Sequence, residues 1–165
     1  MIKDYLKTII ITFLLIITIN FSFINPCYAS INPPIDDNGA ILYQARNRLT
    51  DNDGNIWQLV LFKRLETDKN PDINLRLIAF PDSVNFIHPQ ELIVSTLDKK
   101  DLKASDKFAE KAPNNSVGQY DFTEILPLIK DEKSINLLLP LKEKSLTLKI
   151  PYPILLEWQE ILNKQ

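Results

Sequence analysis

"LTDNDGNIWQLVLFKR", residues 49–64, is the stretch whose reading decides the fold. Asp51-Asn52-Asp53-Gly54-Asn55 stands just ahead of an alternating apolar run. Two structures compete for such a cluster. A calcium hand needs oxygen ligands at loop positions 1, 3 and 5, glycine at 6 and a bidentate glutamate at 12. Asp51, Asp53 and Asn55 meet the first three, but Gly54 falls two places early and Phe62 occupies the place of the glutamate. A hairpin needs only a residue that accepts positive φ between two strands, and Asp-Gly is a strong form of that signal. The spacing therefore predicts a bend, not a metal loop.

Working outward, the flanks agree. In "AILYQARNRL" the side chains of Ile41, Tyr43, Ala45, Asn47 and Leu49 share one face, and Leu42, Gln44, Arg46 and Arg48 the other. In "IWQLVLFKRL" the set Trp57, Leu59, Leu61 and Lys63 alternates with Gln58, Val60, Phe62 and Arg64. Both are strands by their two-residue period. A third strand is expected over 73–80, ended by Pro81, and a weaker one over 91–97. "DKKDLKASDKF" is charged enough to be an edge strand or an exposed turn. "INLLLPL" and "SLTLKI" form a late hairpin through "KEK".

Two segments have helical character. Asp121 and Glu124 have the spacing of a capping box, but Pro127 removes an amide from the second turn and keeps that helix short. From Pro153, the residues Ile154, Leu155, Trp158, Ile161 and Leu162 form one apolar stripe. The expected architecture is α+β: a mostly antiparallel sheet of about six strands, curling toward a barrel and capped by the C-terminal helix.

The first 29 residues read as a secretory signal and 30–39, "SINPPIDDNG", as a leader, so that 40–165 form a single domain. Lys3 and Lys7 precede the apolar run "TIIITFLLIITINFSFI", then Pro26 and the small-residue site ending at Ala29. The rival is an uncleaved anchor, against which stands the length of the run, short of the roughly 20 residues of a spanning helix. Cys27 is the only cysteine. Ile24-Asn25-Pro26 precede it where a lipoprotein signal has small residues. Cleavage after Ala29 leaves a chain without cysteine, which excludes disulfides, zinc-thiolate sites and thiol nucleophiles. Cleavage also leaves 17 basic and 20 acidic residues, a mild charge that points away from nucleic acid. Contact with membrane is expected only through the N-terminal signal.

Catalytic motifs are sparse. The three glycines, Gly39, Gly54 and Gly118, cannot supply Gly-x-Ser-x-Gly or a phosphate loop. His88 is the only histidine and sits before Pro89, a place typical of a turn. Glu157 and Glu160 fall on the solvated side of the last helix. One asymmetry is sharper. All four arginines, Arg46, Arg48, Arg64 and Arg76, lie in the first three strands. Arg46 and Arg48 must share a face. If Arg64 and Arg76 join them, the result is an anion-ready patch. The competing reading is a merely solubilising face whose arginines pair with nearby acids.

Four stretches, "IWQLVLFKR", "NLRLIAFP", "VGQYDFTEILP" and "LLEWQ", in this order and spacing, resemble an uncharacterised family of exported cyanobacterial proteins, a domain of unknown function. The similarity runs over roughly Ala40 to Gln159. It implies a cyanobacterial host and a destination in the periplasm or thylakoid lumen, and no activity, cofactor or site residue.

The function expected from the residues is a non-enzymatic binding or accessory protein with no cofactor. Its partner is expected to be a protein, such as a membrane complex, met by the face of Arg46, Arg48, Arg64 and Arg76. The alternatives are a carrier of a small lipid or pigment in an apolar cavity lined by Trp57, Phe62 and Leu77, and a hydrolase centred on His88.

Overall fold

The computed structural model of the protein describes residues 39–67, 69–108, 112–142 and 145–165, together with Tyr5. The chain divides into two compact units, 1–32 and 33–165, and the account below concerns the second. The expected signal peptide, its cleavage site and most of the leader lie outside the described residues. No helix among the described residues is long and apolar enough to cross a membrane.

The opening stretch is a hairpin. Strand β1 (Ile41–Thr50) pairs antiparallel with β2 (Ile56–Leu65), from Ile41 opposite Leu65 to Thr50 opposite Ile56. Gly54 takes φ +87°, and its N–H donates to the Asp51 carbonyl at 3.1 Å. Asp51 organises the bend. Its Oδ1 accepts the backbone N–H groups of Asp53 at 2.9 Å and Asn55 at 2.8 Å, and its Oδ2 accepts Trp57 Nε1–H at 3.1 Å. The carboxylate that resembled a calcium ligand is thus occupied by donors. Burial alone would push the Asp51 pKa up, but the hydrogen bonds from Asn55, Trp57 and Asp53 outweigh it and hold it below the usual carboxylate range.

Three further strands are β3 (Asp72–Ile78), β4 (Leu92–Ser95) and β5 (Asp101–Ala104). Then come β6 (Val117–Asp121), a one-turn helix α1 (Ile125–Leu128), β7 (Ser134–Leu139), β8 (Leu146–Pro151) and the helix α2 (Tyr152–Leu162). All pairings are antiparallel. The strands form two four-stranded sheets, β1-β2-β3-β6 and β5-β4-β7-β8, where the sequence suggested one sheet of about six.

The sheets are not a closed barrel. Along one side residues 105–107 run beside β6, with Asp121 N–H on the Ser105 carbonyl at 2.9 Å and Lys107 N–H on the Gln119 carbonyl at 2.8 Å. On the other side α2 lies against β1, β2 and β8. Its buried Ile154, Leu155, Trp158 and Ile161 join the core on that side. The stripe read from sequence is therefore the plug that closes the core on this side, with Leu162 partly buried against it.

The inward faces make one core, including Trp57, Leu59, Leu61, Leu75, Leu137 and Trp158. Each such aliphatic side chain contributes about 1.5–3 kcal/mol on burial. Trp57 stands edge-on to Phe86 at 6.2 Å, and Trp158 edge-on to Phe122 at 6.0 Å. Gly118 permits close packing beneath Phe86 and Tyr120, since a Cβ there would lie 2.9 Å from both rings. The helix is also held by polar contacts from the inner face of sheet 1. Lys63, buried in line with Leu61, donates to the carbonyls of Leu162 at 2.8 Å and Lys164 at 2.6 Å. Leu162 is the last residue of α2, where carbonyls lack helical partners, and Lys164 lies two residues beyond it. Asn47 accepts Trp158 Nε1–H at 3.2 Å and donates to Glu157 at 2.6 Å.

The expected capping box of α1 does not form. Its N-cap is Glu124, without a side-chain cap, while Asp121 ends β6 and accepts the Thr123 N–H at 2.9 Å. The amide loss at Pro127 limits the helix to Ile125–Leu128.

Candidate functional site: an arginine groove on the outer face of sheet 1

The inner face of sheet 1 is consumed by the core, so recognition chemistry there has to lie on the other. Strand alternation sends Arg46 and Arg48 of β1, Arg64 of β2 and Arg76 of β3 to this outer face. The register then aligns them. Arg46 is opposite Val60, Val60 is opposite Arg76, and Arg76 is opposite Gln119. One row thus crosses all four strands with an arginine on each side of a valine.

The face holds a groove of about 360 Å³. Arg46, Arg64 and Arg76 line it with Gln44 and Gln58, and Leu42, Val60, Phe62 and Ile78 supply an apolar floor. Arg48 stands on the same face opposite Gln58, exposed and beyond the lining. Three of the four arginines singled out from sequence therefore meet at one groove.

The two arginines of the shared row are held alike. Arg46 donates through Nε at 3.0 Å and Nη2 at 2.9 Å to Gln44 Oε1. Arg76 donates through Nε at 2.9 Å and Nη2 at 2.7 Å to Gln119 Oε1. Both acceptors are neutral amides, so these contacts fix the guanidinium planes without cancelling charge. Arg76 also lies 5.6 Å from the ring centroids of both Phe62 and Phe108, within cation–π reach. Burial lowers its pKa, yet a guanidinium stays protonated at physiological pH.

A larger groove, about 550 Å³, lies between β5, β6 and α1 and is bordered by Glu91, Lys103, Asp121 and Glu124. Two of its three acids lie beside lysines, one of these lysines from outside the lining. Lys103 is 3.1 Å from Glu91, and Lys107 is 3.2 Å from Asp121. Exposed pairs of this sort are weak, and with three carboxylates against one lysine on its lining this groove is acidic rather than cationic.

His88 has a partner that the sequence did not indicate. Its Nδ1 is 2.6 Å from Asp106 Oδ2, and the Asp106 side chain is only 3% exposed. The other ring nitrogen, Nε2, is buried without a hydrogen bond among the described residues. Tyr120 lies near, fully buried, with its phenol pKa pushed up by burial and by the Asp106 charge. The residues named for an apolar cavity fall on opposite sides of the sheet. Trp57 and Leu77 are sealed in the core, whereas Phe62 floors the outer groove. Among the described residues no group of three or more His, Cys, Asp or Glu side chains could hold a metal.

Gln44, Gln119 and Phe108 complete the arginine site and were not legible as site residues. Gln44 carried a signal, two residues before Arg46 and thus on its face. Gln119 lies on a strand that sequence reasoning passed over.

These features define a class: an antiparallel two-sheet module with a helical plug and a cationic groove on an outer face. The chain belongs to a family described as "Protein of unknown function (DUF3122)", whose model matches residues 29–161. No curated protein matches the chain, and no solved structure does.

Proposed function

We propose that this chain is an exported, non-enzymatic binding module that docks a partner protein through its arginine groove. The observation that carries the reading is the pair of guanidiniums of Arg46 and Arg76, each braced by a glutamine oxygen in a chain of net charge −2. A local cationic groove on a mildly acidic protein attracts an anionic surface selectively rather than polyanions in general. The matching partner is an acidic segment of another protein, such as an accessory or membrane complex. The apolar run before Ala29 supports export, and the proposed destination is the periplasm or thylakoid lumen of a cyanobacterial host.

The test is charge reversal. Tagged mature protein is used to recover partners from host membranes, alongside Arg46→Glu/Arg76→Glu and a control with Lys149→Glu on the outer face of sheet 2. The expected result is that the same identified partner is recovered by wild type and control and is lost with the double variant. Recovery unchanged by the double variant removes the site.

The 2.6 Å contact between His88 and Asp106 favours a second reading, a hydrolase. A histidine acting as base must present its free nitrogen to substrate, and Nε2 here is enclosed. The reading therefore needs an opening around His88. Hydrolysis of generic ester substrates that disappears with His88→Gln would establish it.

A further inference from the structure

We infer that the groove recognises an extended acidic peptide, with carboxylates gripped end-on by Arg46 and Arg76 and a neighbouring apolar side chain set on Val60 and Phe62. This rests on the binding reading above and names the chemistry of the partner.

The orientation of the guanidiniums carries the argument. A guanidinium has two edges suited to a carboxylate, the Nε–Nη2 side and the Nη1–Nη2 end. In both arginines the first edge is already engaged by a glutamine oxygen. The end edge is what remains, and it makes two parallel hydrogen bonds to a carboxylate. Gln44 and Gln119 are positioning residues. They hold the forks before the ligand arrives, which reduces the ordering cost of binding. The rings of Phe62 and Phe108 hold Arg76 further.

The row fixes the scale. Arg46 and Arg76 are separated by one intervening strand at Val60, so their backbones stand about 10 Å apart. Each guanidinium is anchored to its own glutamine, Arg46 on Gln44 and Arg76 on Gln119, an arrangement that suits two carboxylates on a single chain. Between them the floor is the half-buried Val60, with the half-buried Phe62 next along the same face of β2. A bare anion leaves that floor wet, whereas a Leu or Phe beside the acids covers it. Charge complementarity and floor together favour an acidic segment that carries an apolar residue.

The experiment is calorimetric titration of the full mature chain. The probes are a synthetic octapeptide with two glutamates flanking a leucine, the same peptide with serine for leucine, succinate, and inorganic phosphate. The expected order places the leucine peptide first. The serine peptide should lose several-fold, and the two small anions should bind weakest. Arg76→Lys keeps the charge but not the fork and should lose about tenfold. Gln119→Leu keeps every charge and should weaken the leucine peptide several-fold while leaving the salt dependence of binding unchanged. Melting curves for each variant separate these effects from unfolding.

Equal affinity for the leucine and serine peptides, or no loss with Arg76→Lys, overturns the inference. So does succinate or phosphate binding as tightly as the peptide, which would mark a small-anion site. If those results appear while charge reversal still strips the identified partner, docking at the groove stands and its peptide chemistry falls. If charge reversal strips nothing, both fall.

Discussion

The two faces of sheet 1 treat cations in opposite ways. On the inner face Lys63 is buried, and its ammonium is spent on two carbonyls at the end of α2. On the outer face Arg76 is partly buried, yet its known acceptor is one amide oxygen on one edge. Burial lowers the pKa of both. What separates them is donor geometry. Three ammonium hydrogens directed at converging carbonyls make a clasp, whereas a planar fork held along one edge still has its end to offer. The same sheet thus carries a structural cation and a recognition cation, and the alternation of β2 and β3 decides which is which.

The strongest way to break this contrast is to remove what closes the inner face. Trp158 is fully buried, edge-on to Phe122, and tied to Asn47. Trp158→Ala should cost about 3–5 kcal/mol, read as a lower midpoint in urea or as failure to fold. A loss below 1 kcal/mol would mean that α2 is not the plug described here.

Next comes the pair of cations. Lys63→Met should cost about 1.5–3 kcal/mol, since two charge-assisted hydrogen bonds disappear and the carbonyls of Leu162 and Lys164 lose their donor. Arg76→Met should cost about 1 kcal/mol or less in stability, as for a partly exposed substitution, while abolishing peptide binding. The contrast is sharpened if stability and binding separate in this way. It is broken if both variants melt alike, because Arg76 would then be as structural as Lys63.

Asp51 tests the same inner face through pH. Its folded pKa lies below the ordinary carboxylate value, so its hydrogen bonds stabilise the fold fully above the unfolded pKa of about 3.9. That contribution is lost as pH falls through the lower folded value. Asp51→Asn should cost about 1–2 kcal/mol at pH 7. The difference from wild type should close progressively below about pH 4. A gap constant from pH 7 to pH 2 would show that ionisation of Asp51 is not what organises the bend. Binding at the outer groove should not change.

The strands of the inner face were legible because burial imposes its period. Trp57, Leu59, Leu61 and Lys63 fall on one side in the sequence and on one side in the structure. The helix stripe was legible for the same reason. Strand β6 was not, since "VGQYD" mixes a glycine, a glutamine and an aspartate and owes its place to pairing with β3. Splitting into two sheets was hidden as well, because which strands pair is decided by long-range contacts. For the groove, parity alone placed Arg46 and Arg48 on one face and left Arg64 and Arg76 open. Register placed three of them together, and register is fixed by long-range pairing that no local pattern carries. Gln119 and Asp106 were invisible on that account, each meeting its partner across the fold.

The smallest effect is expected at the bend itself. Gly54 sits at φ +87°, and a Cβ added there would meet nothing within 4 Å. Gly54→Ala therefore carries only the backbone cost of a left-handed residue, about 1 kcal/mol. Its effect should appear as a modest fall in melting temperature with unchanged affinity at the groove. Gly54→Asn should recover part of the loss, because asparagine tolerates that conformation. If alanine costs nothing, the loop adopts another turn and the hairpin does not depend on positive φ. If alanine instead weakens binding at the outer groove, the bend and the arginine row are coupled through β1 and β2, and the two faces of the sheet are not independent.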